Sequence, residues 1–124
     1  MTPIQTDTAP AAIGPYSQAI RVGDLLFVSG QLPLDPATGA FVPGDAVAQM
    51  RQCLANIRAI ATAAGTDLTR TVKTTILLTD LGGFDAINAE YGQAFAAPFP
   101  ARACYQVAAL PKGAMVEVEA VIAC

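Results

Sequence analysis

Residues 71–107 read TVKTTILLTDLGGFDAINAEYGQAFAAPFPARACYQV, and this stretch decides the class of fold. It opens with a β-branched run from Thr71 to Thr79 that is typical of a strand. Apolar residues then recur at helical spacing until two prolines end the pattern, namely Phe84, Ile87, Tyr91 and Phe95 before Pro98 and Pro100. A second strand-like run covers residues 101–107. A strand, a helix and a strand in this order predict a right-handed parallel crossover.

Two earlier strands are predicted to form a hairpin. The residues Gly23 and Asp24 separate the runs 16–22 and 25–30, and a two-residue turn of this type favours a tight antiparallel connection. This turn sets the register, and alternation then places eight side chains on one sheet face in four facing pairs: Val22 with Leu25, Ile20 with Phe27, Gln18 with Ser29, and Tyr16 with Gln31.

The remaining elements complete a single domain over residues 1–124. A long helix is predicted after Asp45, a suitable N-cap, and before Gly65, a suitable C-terminal stop. Its apolar positions are Val47, Met50, Leu54, Ile57, Ala61 and Ala64. A last strand is predicted over residues 115–123, after the turn-like LPKG. We therefore expect an α+β fold with a mixed β-sheet and two helices on one face.

Composition indicates a globular protein and argues against several classes of function. The chain has 53 % hydrophobic and only 14 % charged residues, enough apolar content for a real core. No apolar run approaches the roughly 18 residues of a membrane span, and the N-terminal residues lack the pattern of a signal peptide. We therefore expect a cytoplasmic protein with no membrane partner.

Charge and residue types narrow the chemistry further. The net charge is −3, and the seven Lys and Arg are scattered, so a nucleic-acid partner is not favoured. Histidine is absent, which removes the Ser-His-Asp triad, the usual Cys-His pair and nearly every catalytic zinc site. Three cysteines without CxxC spacing indicate reduced thiols. We expect neither a metal nor a cofactor.

Charged residues interrupt the last two apolar strands. By alternation Arg102 shares a strand face with Cys104, and Glu117 shares one with Glu119. We expect these groups on the open face of the sheet, beside apolar residues of the hairpin. Such a mixed face indicates a partner subunit. The alternative is that the charges are solvated strand ends that form at most a weak surface salt bridge.

Cys104 allows two interpretations. A neighbouring Arg102 would favour a nucleophilic thiolate. Without a histidine to accept the thiol proton, however, the sequence favours an inert, packed thiol.

Several segments resemble, in order and spacing, the RidA family of enamine and imine deaminases, also called YjgF-type proteins: IGPYSQAI, FVSGQLPLDPATG, VKTTILLTDL, NAEY and FPARACYQVAALPKGAMVEVEA. The most specific parts are GPY at 14–16, SGQ at 29–31, PARAC at 100–104 and EVE at 117–119. The likeness covers essentially the whole chain. It implies a fold like trimeric chorismate mutase, in which three sheets pack into a barrel with clefts between the subunits of a homotrimer.

The resemblance also implies a site and a reaction. In the family pattern Arg102 binds the substrate carboxylate and Glu117 positions the water, while further pocket positions fall on Tyr16, Ser29, Gly30, Asn88 and the backbone of Cys104. The implied reaction hydrolyses 2-enamine and 2-imino acids, such as 2-aminoacrylate, 2-iminopropanoate and 2-iminobutanoate, to 2-keto acids and ammonia. PLP-dependent dehydratases would make these substrates.

Two other functions remain as alternatives. One is a trimer that binds a small carboxylate without turnover, which would need Arg102 but tolerate loss of Glu117. The other is an endoribonuclease or translation inhibitor, against which the acidic pI of about 4.6 and the absent histidine argue.

Overall fold

The computed structural model describes residues 1–124, which form one six-stranded mixed sheet covered on one face by two helices. The strands are β1 (Thr2–Ile4), β2 (Ala19–Val22), β3 (Leu25–Gln31), β4 (Thr71–Leu78), β5 (Ala101–Gln106) and β6 (Val116–Ala123), and the helices are α1 (Ala46–Ala63) and α2 (Phe84–Gly92). The strand order is β1-β2-β3-β6-β4-β5. Only β4 and β5 pair in parallel, so the parallel pairing predicted for the two strands of residues 71–107 and the α+β class are confirmed.

The ends of α1 follow from local chemistry. The Asp45 side chain accepts a hydrogen bond from the N–H of Ala48, which satisfies one free amide of the first turn of α1. After α1 the chain turns at Gly65, whose φ of 82° favours glycine. The second helix ends at Gly92, so Phe95 lies beyond it, yet Phe95 remains buried with its ring centroid 4.8 Å from that of Tyr91.

The core lies between the helices and one face of the sheet. Fully buried strand residues pack against fully buried helix residues in one cluster, including Leu26, Ile76, Leu78, Val116, Val118 and Ile122 from the strands and Met50, Ile57 and Ile60 from α1. Each such side chain stabilises the fold by about 1.5–3 kcal/mol relative to exposure. No helix of the structure combines the length and apolarity that crossing a membrane would require.

The predicted hairpin register is confirmed near the turn, but the predicted alternation is wrong towards the end of β3. Val22 pairs with Leu25 and Ile20 with Phe27, as predicted. Between Val28 and Gln31, however, β3 advances three residues while its partner β6 advances two, which is a β-bulge. Because the extra residue reverses the alternation, Gln31 lies opposite Val118 and is 5 % exposed on the helix-covered face.

The N-terminal segment also differs from the prediction. Tyr16 precedes β2 and is 53 % exposed instead of lying in a strand opposite Gln31. The edge strand β1 was not predicted, because three residues without alternation give no strand signal. Buried Gln18 explains how this segment is held: its side chain bonds to the backbone N–H and C=O of Thr6 and donates to the carbonyl of Pro10.

Arg102 lies on the helix-covered side of the sheet, so the expectation that it shares the open face with Glu117 is wrong. The β4–β5 register pairs Thr74 with Arg102 and Ile76 with Cys104, and directly paired residues point to the same face. Thr74 and Ile76 are both buried under the helices. Alternation tells which residues of one strand share a face, but the pairing between strands decides which face that is.

Candidate active site

The guanidinium of Arg102 is held by three side chains of α2. Its Cζ lies 5.1 Å from the ring centroid of Tyr91 and 5.4 Å from that of Phe84, within the range of cation–π attraction. Its NH1 donates a 2.6 Å hydrogen bond to Oδ1 of Asn88. Arg102 is therefore solvent-exposed yet fixed in orientation.

Buried contacts in turn hold Tyr91. The Tyr91 hydroxyl and Thr74 Oγ1 form a 2.7 Å hydrogen bond, and both residues are buried. The ring of Phe95 packs against the Tyr91 ring at 4.8 Å. The ring beside Arg102 is thus fixed by the sheet on one side and by the core on the other.

A cleft of about 510 Å³ opens beside Arg102, lined by Asn88, Tyr91, Gly92, Phe99, Pro100 and Arg102. The bond to Asn88 uses one of the five N–H donors of the guanidinium. Four donors remain, and their planar fork matches the two oxygens of a carboxylate. The candidate site has two halves, and the half around Arg102 is suited to binding a small carboxylate.

Glu117 lies on the open face of the sheet, half-buried against Gly30. Partial burial raises the pKa of the Glu117 carboxyl above its ordinary value, and the negative charge of Glu119 raises this pKa further. A carboxyl with a raised pKa exchanges a proton more readily near neutral pH. This half of the site is therefore suited to proton transfer.

A second cleft, of about 500 Å³, contains Glu117. Its walls include Tyr16, Gly30, Gln31, Leu32, Lys112 and Glu117. The structure thus brings together three of the predicted site residues, Tyr16, Gly30 and Glu117.

The Ser29 hydroxyl is already hydrogen-bonded to the backbone. Its Oγ donates a 2.6 Å hydrogen bond to the carbonyl oxygen of Ser17, which ties the segment before β2 to β3. Ser29 lines a different cleft on the open face, with Phe27 and Glu119. Its side chain therefore supports the loop beside Gly30, and its hydroxyl proton is already in use.

Cys104 is half-buried and packs against the core below α2. Burial raises the pKa of its thiol, while the charge of Arg102 acts in the opposite direction and is the smaller effect. The protonated thiol is therefore favoured, and the interpretation of Cys104 as an inert thiol gains support over the nucleophile.

Sequence reasoning missed two kinds of residue. It treated Phe84 and Tyr91 only as a core stripe, although with Asn88 they recur at positions i, i+4 and i+7 and so share one helix face. This spacing, together with the parallel crossover that places the helix beside the strand of Arg102, could have indicated their contact with Arg102. Lys112 was also missed. It lines the Glu117 cleft, and its backbone has a left-handed φ of 59°. In the sequence only the neighbouring Gly113 indicated an unusual backbone at this point.

The two halves of the site lie on opposite faces of one sheet. Arg102 and Asn88 lie on the helix-covered side, while Glu117, Tyr16 and Gly30 line a cleft that includes the open face. A single sheet separates them, and no contact joins Arg102 to Glu117; the one side-chain ion pair in the chain joins Arg51 to Glu90. One chain alone does not bring both groups to a single small molecule.

Comparisons of sequence place this chain among known proteins. The family model described as Endoribonuclease L-PSP matches residues 6–124. A RutC family protein, y4sK of Sinorhizobium fredii, is 69 % identical over 120 residues, covering 97 % of this chain and 95 % of the relative. The 2-iminobutanoate/2-iminopropanoate deaminase of Capra hircus is 56 % identical over 118 residues, covering 95 % of this chain and 86 % of the relative.

Solved structures have the same fold. RidA from an Antarctic Psychrobacter species superposes with a TM-score of 0.96 at 47 % identity and full coverage of both chains. The structure of E. coli TdcF with bound serine gives a TM-score of 0.93 at 40 % identity, covering 100 % of this chain and 99 % of that one.

Proposed function

Because the chain belongs to the family described as Endoribonuclease L-PSP, to which the RidA proteins belong, we propose that it is an enamine and imine deaminase. Its substrates are 2-imino acids such as 2-iminopropanoate and 2-iminobutanoate, with their enamine tautomers such as 2-aminoacrylate. Its products are 2-keto acids and ammonia. Relatives at 51–56 % identity that are named 2-iminobutanoate/2-iminopropanoate deaminase support this proposal.

The observation that carries the proposal is the orientation of Arg102. Its guanidinium is held against two rings and one amide, with four N–H donors still free for a planar anion. Every substrate of the proposed reaction has a carboxylate next to the reacting carbon. Binding at Arg102 would therefore fix the position of the C=N carbon.

The chemistry requires little beyond placement and proton transfer. The C=N carbon of the imine is electrophilic, so water adds to it and gives a carbinolamine. The carbinolamine then loses ammonia and leaves the keto acid. Glu117 would take the proton from the attacking water and return it to the departing nitrogen, a role suited to a carboxyl of raised pKa.

We propose further that the active unit is a homotrimer with clefts shared between subunits. Arg102 and Asn88, with the backbone of Cys104, would come from one chain, and Tyr16, Ser29, Gly30 and Glu117 from its neighbour. The separation of the two halves by the sheet supports this arrangement. Large apolar side chains exposed on the open face also support it, with Phe27 at 44 % and Leu25 at 39 % exposure.

The other candidate functions have less support. Phosphate backbones attract basic surfaces, whereas this chain carries ten acidic and seven basic side chains and no histidine. A module that binds a carboxylate without turnover would require Arg102 only. The relatives named as deaminases favour catalysis over simple binding.

We propose that the protein acts in the cytoplasm, where it would remove reactive imines released by PLP-dependent dehydratases. Its three cysteines are free thiols, the form expected in a reducing compartment.

The test adds the purified protein to a PLP-dependent threonine dehydratase and follows the release of 2-oxobutanoate. Under buffer conditions in which spontaneous imine hydrolysis limits the rate, we expect faster release at unchanged dehydratase turnover. Unchanged release over a wide range of protein concentration would refute the deaminase proposal. A parallel assay with labelled RNA tests the alternative, because a nuclease would cleave it with a steep salt dependence.

A further inference from the structure

One face of α2 is occupied by three side chains that all contact the same guanidinium. Phe84, Asn88 and Tyr91 recur at i, i+4 and i+7 and reach Arg102 at 5.4, 2.6 and 5.1 Å respectively. The distances for the two rings are from Arg102 Cζ to the ring centroid, and the distance for Asn88 is from NH1 to Oδ1. We name these three residues the Arg102 cradle.

The cradle restricts a side chain that would otherwise be mobile. Arg102 is solvent-exposed on β5, which is the last strand at one edge of the sheet. A free arginine populates many rotamers, and ordering it during binding costs affinity. Contacts made before the ligand arrives remove much of that cost.

The contacts of the cradle differ in what they fix. The aromatic faces attract the guanidinium through its charge and limit its position relative to α2. The NH1 group of Arg102 donates to the side-chain Oδ1 of Asn88, which limits rotation of the guanidinium in its own plane. Tyr91 is in turn fixed by its hydrogen bond to Thr74 of the adjacent strand.

We infer that the Arg102 cradle sets the affinity of this protein for small carboxylates by presenting the guanidinium in its binding orientation. Phe84, Asn88 and Tyr91 are positioning residues: they act through Arg102, and the carboxylate contacts Arg102 itself. This inference rests on the proposed function, because it takes the 2-imino acid carboxylate as the ligand of Arg102.

Two predictions distinguish positioning from mere packing. Phe84 is only half-buried, so Phe84→Leu should leave the fold intact while removing one ring face. Binding of 2-oxobutanoate should weaken about fivefold, and Phe84→Tyr should restore it, because the new ring keeps the π-face. Asn88→Asp keeps the shape and the acceptor oxygen but neutralises Arg102. A competing internal carboxylate should weaken binding by tenfold or more.

The experiment makes two measurements on each variant. One is the Kd of 2-oxobutanoate by calorimetry, and the other is the kcat and KM in the dehydratase-coupled assay. We expect Kd and KM to rise together while kcat stays within about twofold. The matched control is Ile87→Ala, because Ile87 is buried on the same helix but lines another cleft, with Asp80 and Met115. Its Kd should match that of the parent.

The outcomes separate this inference from the proposed function. If the parent protein binds 2-oxobutanoate but does not accelerate imine hydrolysis, the deaminase proposal fails and the binding series still decides the role of the cradle. If Phe84→Leu and Asn88→Asp fold normally and keep the parent Kd, the cradle has no positioning role. A parent protein that does not bind 2-oxobutanoate would overturn the inference as well.

Discussion

The carboxyl group of Glu117 lies directly against the backbone of Gly30. A Cβ added to Gly30 would stand 2.8 Å from Glu117 Oε1 and 3.0 Å from its Cδ. This close approach favours glycine here, whereas the Gly30 backbone conformation does not, because it lies outside the left-handed region. The β3 bulge between Val28 and Gln31 places Gly30 at this position, so one irregularity of the sheet shapes the wall beside the proposed proton carrier.

The first prediction concerns Gly30→Ala. The new methyl group should push the Glu117 carboxyl aside, and kcat should fall by about tenfold to a hundredfold, as expected when a catalytic group moves by about 1 Å. The fold should persist because the displaced atoms are the end of a flexible side chain. Gly83→Ala is the control, since a Cβ there meets nothing within 4 Å. Parent-like kcat in folded Gly30→Ala would contradict the proposed role of Glu117.

The second prediction compares Glu117→Gln with Cys104→Ser. The glutamine keeps the shape but not the proton exchange, so turnover should fall by roughly a hundredfold or more while keto acid binding survives. The serine should have a mild effect, because burial already favours an unreactive thiol at Cys104. Both variants are assayed with the coupled dehydratase after a check of oligomer mass. An inactive Cys104→Ser beside an active Glu117→Gln would indicate a covalent thiol mechanism.

Much of the fold followed from the sequence because its signals are local. The Asp45 cap, the apolar spacing of α1 and the order of elements in residues 71–107 each depend on neighbours in the chain. The bulge in β3 could not be predicted in the same way. It depends on how β3 pairs with β6, a strand about ninety residues further along the chain. This pairing moves the Gln31 side chain from the open face of the sheet to the helix-covered face.

The sequence named most of the residues from which the candidate site is built, but it did not predict their arrangement. Alternation correctly grouped Arg102 with Cys104 and Glu117 with Glu119, yet it could not show that the two pairs point to opposite faces. Only the pairing of β4 with both β5 and β6 decides this. The role of Phe84 was missed for a related reason, since an aromatic residue on an apolar stripe gives the same pattern whether it packs on the core or on a guanidinium.

The third prediction is a shift in pH dependence. The charge of Glu119 raises the pKa of Glu117, and so does burial, which is the larger cause. Glu119→Gln should therefore lower the Glu117 pKa without returning it to its ordinary value. In the proposed mechanism ionised Glu117 accepts the water proton, so kcat/KM should rise as pH rises through this pKa, and in the variant the acidic limb should move to lower pH. The profile is measured with the coupled assay, and an unmoved limb would exclude Glu117 as the titrating base.

The fourth prediction concerns the carboxylate anchor. Arg102→Lys keeps the charge but loses the planar fork and the aromatic stacking, so most deaminase activity should disappear. Arg102→Ala should be at least as damaging, because alanine removes the charge as well as the planar fork. Light scattering should show that each variant keeps the parent mass. Near-normal turnover in a folded Arg102→Lys protein would rule out the anchoring role.

The fifth prediction tests whether two chains share each site. Arg102→Ala and Glu117→Gln proteins, each nearly inactive, are mixed in equal amounts, unfolded and refolded together. In a closed trimer with each site between neighbours, random mixing joins an intact Arg102 to an intact Glu117 in one site of four, so about a quarter of parent activity should return. The same mixture without unfolding is the control and should stay inactive. If both groups served one site from the same chain, no hybrid site would be complete, and refolding would restore nothing.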